Sequence, residues 1–135
     1  MLSYARFNRI YRLSAWYDLL VAWPYATPLT LYWLWGAVNG VHGALGLPPL
    51  PPFTPLGGLF GNFFGTVVVI WSVVRLRQSG PDLARYDAVG RWLFSLWMLI
   101  ALAQGGPVLL WGFVVIEMGF GLLQSLPYRN RDQQA

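Results

Sequence analysis

Cysteine is absent from this chain, and that absence closes several chemistries at once. No disulfide staples it, no thiolate serves as a nucleophile, and no cysteine-based metal site can form. Lysine is absent too, so all nine basic residues are arginine. A single histidine, His42, excludes a histidine-rich metal site. Charge of either sign is scarce, at 10% of residues against about 25% in an ordinary soluble domain. No basic run is interleaved with exposed polar sequence, so no nucleic-acid partner is expected. No nucleophile–base pair, metal-ligand set or phosphate-binding loop is visible, so neither catalysis nor a cofactor is expected.

What the chain has is apolar surface. Hydrophobic residues make up 56% of its 135 positions and aromatics 17%, with eight tryptophans. A soluble domain of this size has too high a surface-to-volume ratio to hide so much apolar area. Lipid is the simplest cover. A spanning helix needs about 20 mostly apolar residues, and four segments qualify, at about 28–47, 57–76, 88–104 and 107–126. Thr27 before Pro28 reads as a helix start, because threonine caps free N–H groups and proline at the first position has none to waste. The proline-rich stretch 48–55 ends that helix. The third segment has room to extend back to Asp82.

Residues 3–23 are too charged to span. They bring Arg6, Arg9 and Arg12 near one another and leave Phe7, Ile10, Leu13 and Tyr17 for another face, the composition of an interfacial amphipathic helix. The first long apolar stretch exceeds the roughly 7–15 residues of a secretory signal core, so the N-terminus is expected to be uncleaved. The expected fold is an all-α integral membrane protein: one domain over 1–135, a four-transmembrane-helix bundle with an N-terminal amphipathic interfacial helix.

The arginines orient this bundle. Arg6, Arg9 and Arg12 precede the first span, Arg75, Arg77, Arg85 and Arg91 cluster between the second and third, and Arg129 and Arg131 follow the fourth. The loops around 48–56 and 104–106 carry none. Placing both termini in the cytoplasm puts every arginine on that side, as the positive-inside rule requires. A bacterial inner membrane is the expected location. Trp16, Trp23, Tyr25, Trp71, Trp92 and Tyr128 suit an aromatic belt near the inner interface.

Small residues suggest how the helices pack. Gly36, Gly40 and Ala44 recur every four residues in the first span, and Gly57, Gly61 and Gly65 do so in the second. Such grooves let backbones approach closely in lipid, so a tight contact between these two spans is expected. The other reading is that one groove receives a second protein. Gly105 and Gly106 leave only a short connection, which makes the third and fourth spans an antiparallel hairpin.

Glu117 stands in the middle of the last apolar run. Counted from Pro107 it lies about 15 Å deep, where a charge is expensive and burial disfavours the carboxylate. Arg91 and Arg129 are expected near the cytoplasmic edge, out of its reach, so Glu117 is expected to be neutral at pH 7. Gly121 and Gln124 share its face. Asn39, Asn62 and Thr66 fall at a similar depth and could gather around it, with His42 nearer the outer surface. Asp87 and Arg91 have the four-residue spacing of an ordinary helical ion pair. These five residues, Glu117, Asn39, Asn62, Thr66 and His42, are the candidate ligand- or proton-binding set.

In outline, four apolar spans with one embedded acid, the chain resembles the small multidrug-resistance exporters. Their glutamate lies in the first helix, whereas Glu117 is in the last. It also resembles bundles of the sterol-isomerase and sigma-2-receptor type, in which sheltered acids bind amines. Two functions follow. One is a non-catalytic membrane subunit or lipophilic-ligand-binding bundle, with the bilayer and a membrane-protein partner or a second copy as its associates. The other is a proton-coupled carrier of a small amphipathic cation, working as a homo-oligomer around Glu117.

Overall fold

The computed structural model describes residues 2–78 and 80–128. Ser79, Arg129 and Arg131, used above to orient the chain, lie outside the described residues. The described residues are all-α, with five helices: α1 Tyr4–Ala22, α2 Pro28–Ala44, α3 Pro55–Arg77, α4 Pro81–Ala103 and α5 Leu110–Ser125. A short 3-10 turn, Trp23–Ala26, joins α1 to α2.

Local chemistry sets the helix ends. Thr27 caps α2 by accepting a hydrogen bond from the Thr30 N–H at 3.2 Å, with Pro28 behind it. Thr54 does the same for α3, accepting from Gly57 N–H at 3.0 Å. At the other ends, Gly46 and Gly105 adopt positive φ (66° and 86°). They allow the wrap-back bonds Leu47 N–H to His42 O (2.8 Å) and Gly106 N–H to Ala101 O (2.8 Å) that close α2 and α4.

Two helix starts fall three or more residues from the sequence expectation. α4 begins at Pro81 rather than 88, because proline at the first position and Asp82 in the first turn start a helix well before hydropathy rises. α5 begins at Leu110, because residues 107–109 are spent in the turn.

Chain contacts divide the protein into two compact units. One holds the chain up to Ser14 together with the chain from Arg77 onward; the other holds Ala15–Leu76. In the first, α4 and α5 pack side by side. They run antiparallel, as the short connection requires: Arg85 bonds carbonyls at the end of α5 while Arg91 meets Glu117 further back. The first half of α1 lies along this hairpin, burying Phe7 and Tyr11 against Ala84. Phe7 stacks on Tyr128 at 4.5 Å, and Leu2 N–H bonds Pro127 O at 3.0 Å, so the start of α1 and the chain leaving α5 sit together.

In the second unit, the 3-10 turn presses on α3. A Cβ on Gly65 would run into the Tyr25 carbonyl carbon, and Asn62 Nδ2 donates to Tyr25 O at 2.8 Å. Gly61 faces Leu31, whose Cδ2 would be 3.3 Å from an added Cβ. The connection 45–54 folds back along α2, with Trp35 Nε1 donating to Pro51 O at 2.9 Å. Gly36, Gly40 and Ala44 are exposed, and a Cβ on either glycine would meet nothing within 4 Å. The paired-groove contact is therefore replaced by a one-sided one. α3 uses its glycines, chiefly against the 3-10 turn, and α2 does not.

α3 and residues 82–103 of α4 are long and apolar enough to cross a membrane, and most of their surface is not covered within the chain. α5 is a shorter apolar helix. Beside a small apolar core that includes Phe7, Leu31 and Val114, many polar side chains are buried and many large apolar ones are not. Ser14, Ser72, Arg75, Asp87, Arg91, Ser95, Glu117 and Gln124 are buried, whereas Phe60, Phe63, Val67, Ile70, Val89, Trp97 and Val115 are exposed.

Candidate functional site

The buried polar groups of the first unit converge on Arg91. It sits ten residues past Pro81, about 15 Å along α4 by helical rise. Its Nη1 lies 2.7 Å from Glu117 Oε2 on α5, and its Nε lies 3.1 Å from Asp87 Oδ2 one turn earlier on α4. Its Nη2 reaches the Ser14 carbonyl at 3.5 Å, and the guanidinium stands 5.0 Å from the Phe120 ring centroid. Only 2% of Arg91 and 9% of Glu117 is exposed.

This corrects the expectation that no basic group reaches Glu117. A residue count within each helix does not fix the register between them, and the α4–α5 hairpin sets Arg91 beside Glu117. The Asp87–Arg91 pair is formed as its spacing indicated.

A polar layer continues from the ion cluster towards the chain ends. Gln124, seven residues after Glu117 and on its face, donates from Nε2 to Ser14 Oγ at 2.8 Å, and Ser14 Oγ donates to Tyr11 O at 2.8 Å. The Gln124 Oε1 is buried with no hydrogen-bond partner among the described residues. Gly121 lies between them, and a Cβ there would touch Arg91 Cβ at 3.5 Å and Trp92 Cε2 at 3.4 Å, leaving room for a methyl group but not for a longer side chain. Arg85 bonds the carbonyls of Gln124, Ser125 and Leu126 (3.3, 2.8 and 3.4 Å), placing a cation at the negative end of the α5 dipole.

The remaining candidates lie in the second unit and are engaged locally. Asn39 Oδ1 accepts from Leu50 N–H at 2.7 Å and its Nδ2 donates to Trp35 O at 3.2 Å. His42 Nδ1 is 2.8 Å from Pro48 O, which makes Nδ1 the donor; its Nε2 is buried with no partner among the described residues. Asn39 and His42 thus tie the connection 45–54 onto α2. Asn62 is bound to the 3-10 turn. Thr66, expected to face inward, is exposed. This unit has its own ion pair, Asp18 of α1 with the fully buried Arg75 of α3.

Sequence reasoning missed Ser14 and read Asp18 as a helix-end or turn acid rather than as the partner of Arg75. The signal was the spacing Phe7, Tyr11, Ser14, Asp18, Ala22, which marks one face of α1 at steps of three and four. That face becomes polar halfway along, where it meets the buried arginines.

Chemically, the Arg91 cluster joins three helices through charge-assisted bonds away from water. Among the described residues there is no group of three or more His, Asp or Glu side chains arranged to hold a metal ion. No protein-family model, curated protein or solved structure matches this chain.

Proposed function

We propose that this is a small polytopic membrane protein with a non-catalytic role, a membrane subunit or lipophilic-ligand-binding bundle whose helices are clamped by buried ion pairs. The carrying observation is the burial pattern, with several charged and amide side chains inside and most of the large apolar side chains outside. In water that arrangement would expose a large apolar area. In lipid it turns Arg91, Glu117, Asp87 and the Gln124 amide away from the acyl chains and towards one another and Ser14.

In this reading α3, α4 and α5 cross a bacterial inner membrane, α2 continues to the outer side from the 3-10 turn seated midway along α3, and α1 is the interfacial helix whose first half packs on α4 and α5. α5, at 16 residues, is close to the lower limit of about 17 for a span. Both termini are cytoplasmic. The arginine partition supports this, and so does the pairing of Leu2 with the chain after α5, which sets the two ends on one side. A membrane-protein partner or a second copy completes the assembly.

The runner-up, a proton-coupled carrier of a small amphipathic cation built around Glu117, draws on the embedded acid. Arg91 at 2.7 Å counts against it, because the carboxylate already has a buried guanidinium as its partner and is not left open to a ligand. Binding of a lipophilic amine between pH 5 and 9 separates the two. The structural reading expects the parent and Glu117→Gln to give the same curve. A pH-dependent affinity lost in Glu117→Gln would establish the carrier instead.

A further inference from the structure

The outward face of α1 changes character along the helix axis. Opposite its buried stripe, Arg6, Arg9, Leu13, Trp16 and Leu20 follow one another at steps of three and four, so they line a single face. All five are exposed, and the last three are 55%, 57% and 71% exposed. Arg12, beside this stripe, is exposed as well. The first part of the face is therefore cationic, and the part beyond residue 12 is apolar and aromatic. A helix lying flat in an interface shows the other pattern, with one apolar face along its whole length.

α4 makes the same change at the same level. Its exposed residues run from Asp82, Arg85 and Tyr86 to Val89, Leu93 and Trp97. The levels correspond because Phe7 and Tyr11 pack on Ala84 while Ser14 meets Arg91, the same seven-residue advance from Phe7 and from Ala84. Two neighbouring helices thus pass from polar to apolar surface together, near Arg12 on one and between Tyr86 and Val89 on the other.

We infer that the outer face of α1 is a lipid-binding surface that enters the inner leaflet end-on, with Arg6, Arg9 and Arg12 in a layer of anionic phospholipid headgroups and Leu13, Trp16 and Leu20 among the acyl chains. This rests on the membrane reading above and changes the role of α1 within it, from a helix lying in the interface to one that crosses it. From Leu13 to Leu20 the helix advances about 10 Å, which fits inside one leaflet of a hydrocarbon core about 30 Å thick. The arginines complement anionic headgroups in charge, and the apolar residues beyond them favour a lipid surface over a soluble acidic partner.

The absence of cysteine makes the test direct. Spin labels are attached to Arg9→Cys, Leu13→Cys, Trp16→Cys and Leu20→Cys, with Phe63→Cys on α3 as a reference. The full chain is reconstituted in vesicles of phosphatidylcholine with phosphatidylglycerol. Collision with oxygen relative to a water-soluble nickel chelate should rise stepwise from Arg9 to Leu20, and Phe63 should read as deep. A deep Phe63 with no gradient along α1 would overturn this inference and leave the membrane reading standing. A water-accessible Phe63 would overturn both. Exclusion of both reagents from the α1 face would mean that a second copy covers it, which also overturns the inference. The headgroup assignment has its own readout. Spin-labelled phosphatidylglycerol should be preferred over phosphatidylcholine at the protein surface, and Arg6→Gln/Arg9→Gln should lose that preference. An unchanged preference would refute the role of these arginines.

Discussion

Replacing Arg91 with methionine takes the guanidinium from two carboxylates at once, Glu117 at 2.7 Å and Asp87 at 3.1 Å. Replacing Glu117 with leucine leaves the Arg91–Asp87 contact in place. The two halves of one ion pair should therefore differ in effect. Removing one partner of a buried pair destabilises by about 3–5 kcal/mol, and Arg91→Met should reach that range. Each step of about 1.4 kcal/mol is tenfold in the unfolding equilibrium, so the effect lies well outside experimental scatter. Glu117→Leu should fall short of it. Glu117→Gln, which keeps an oxygen to accept from Nη1, should be the mildest of the three. The double variant Arg91→Met/Glu117→Leu should be less damaging than the sum of its parts, with a coupling of about 0.5–3 kcal/mol. The assay is reversible unfolding by sodium dodecyl sulfate titration in mixed micelles, followed by tryptophan fluorescence. Additive effects, or an Arg91→Met no worse than Glu117→Leu, would refute the argument that Arg91 is the hub.

The glycines give a contrasting pair of outcomes. Gly65→Ala should lower the melting temperature in detergent, because its Cβ would run into the backbone of Tyr25 and Ala26, which cannot give way. Gly36→Ala and Gly40→Ala should leave it unchanged or raise it, since both sites are open and alanine is the better helix former. For topology, a cysteine at Gln78 should resist an impermeant thiol reagent applied outside intact cells, and one at Thr54 should react. The reverse labelling would invert the orientation.

The helices were largely legible because their ends carry explicit chemistry. Thr27–Pro28 and the Gly105–Gly106 turn are local signals, and the structure uses both. The start of α4 was misplaced because Asp82, Arg85, Asp87 and Arg91 depress hydropathy over its first three turns. Pro81 was the better guide. The partner of Glu117 was not legible for a related reason. Periodicity assigns a residue to a face but does not set the register between two helices, and it is that register which brings Arg91 level with Glu117. The small-residue spacing likewise marked a usable surface on α3 without showing that the 3-10 turn, rather than α2, would occupy most of it. Asn39 and Asn62 looked available for a core cluster, yet the nearest needy groups were backbone atoms of Leu50 and Tyr25, and local bonds won.

The central claim is that the apolar outer surface is covered by lipid. Phe63 on α3 tests it most directly, because it is 58% exposed in the fold and lies in the middle of a candidate span. A cysteine at that position should be unreactive toward a water-soluble maleimide added to either side of sealed native membranes, and should label once the membrane is dissolved and the chain unfolded. Prompt labelling in intact membranes would contradict the account, because it would place water where the fold requires lipid.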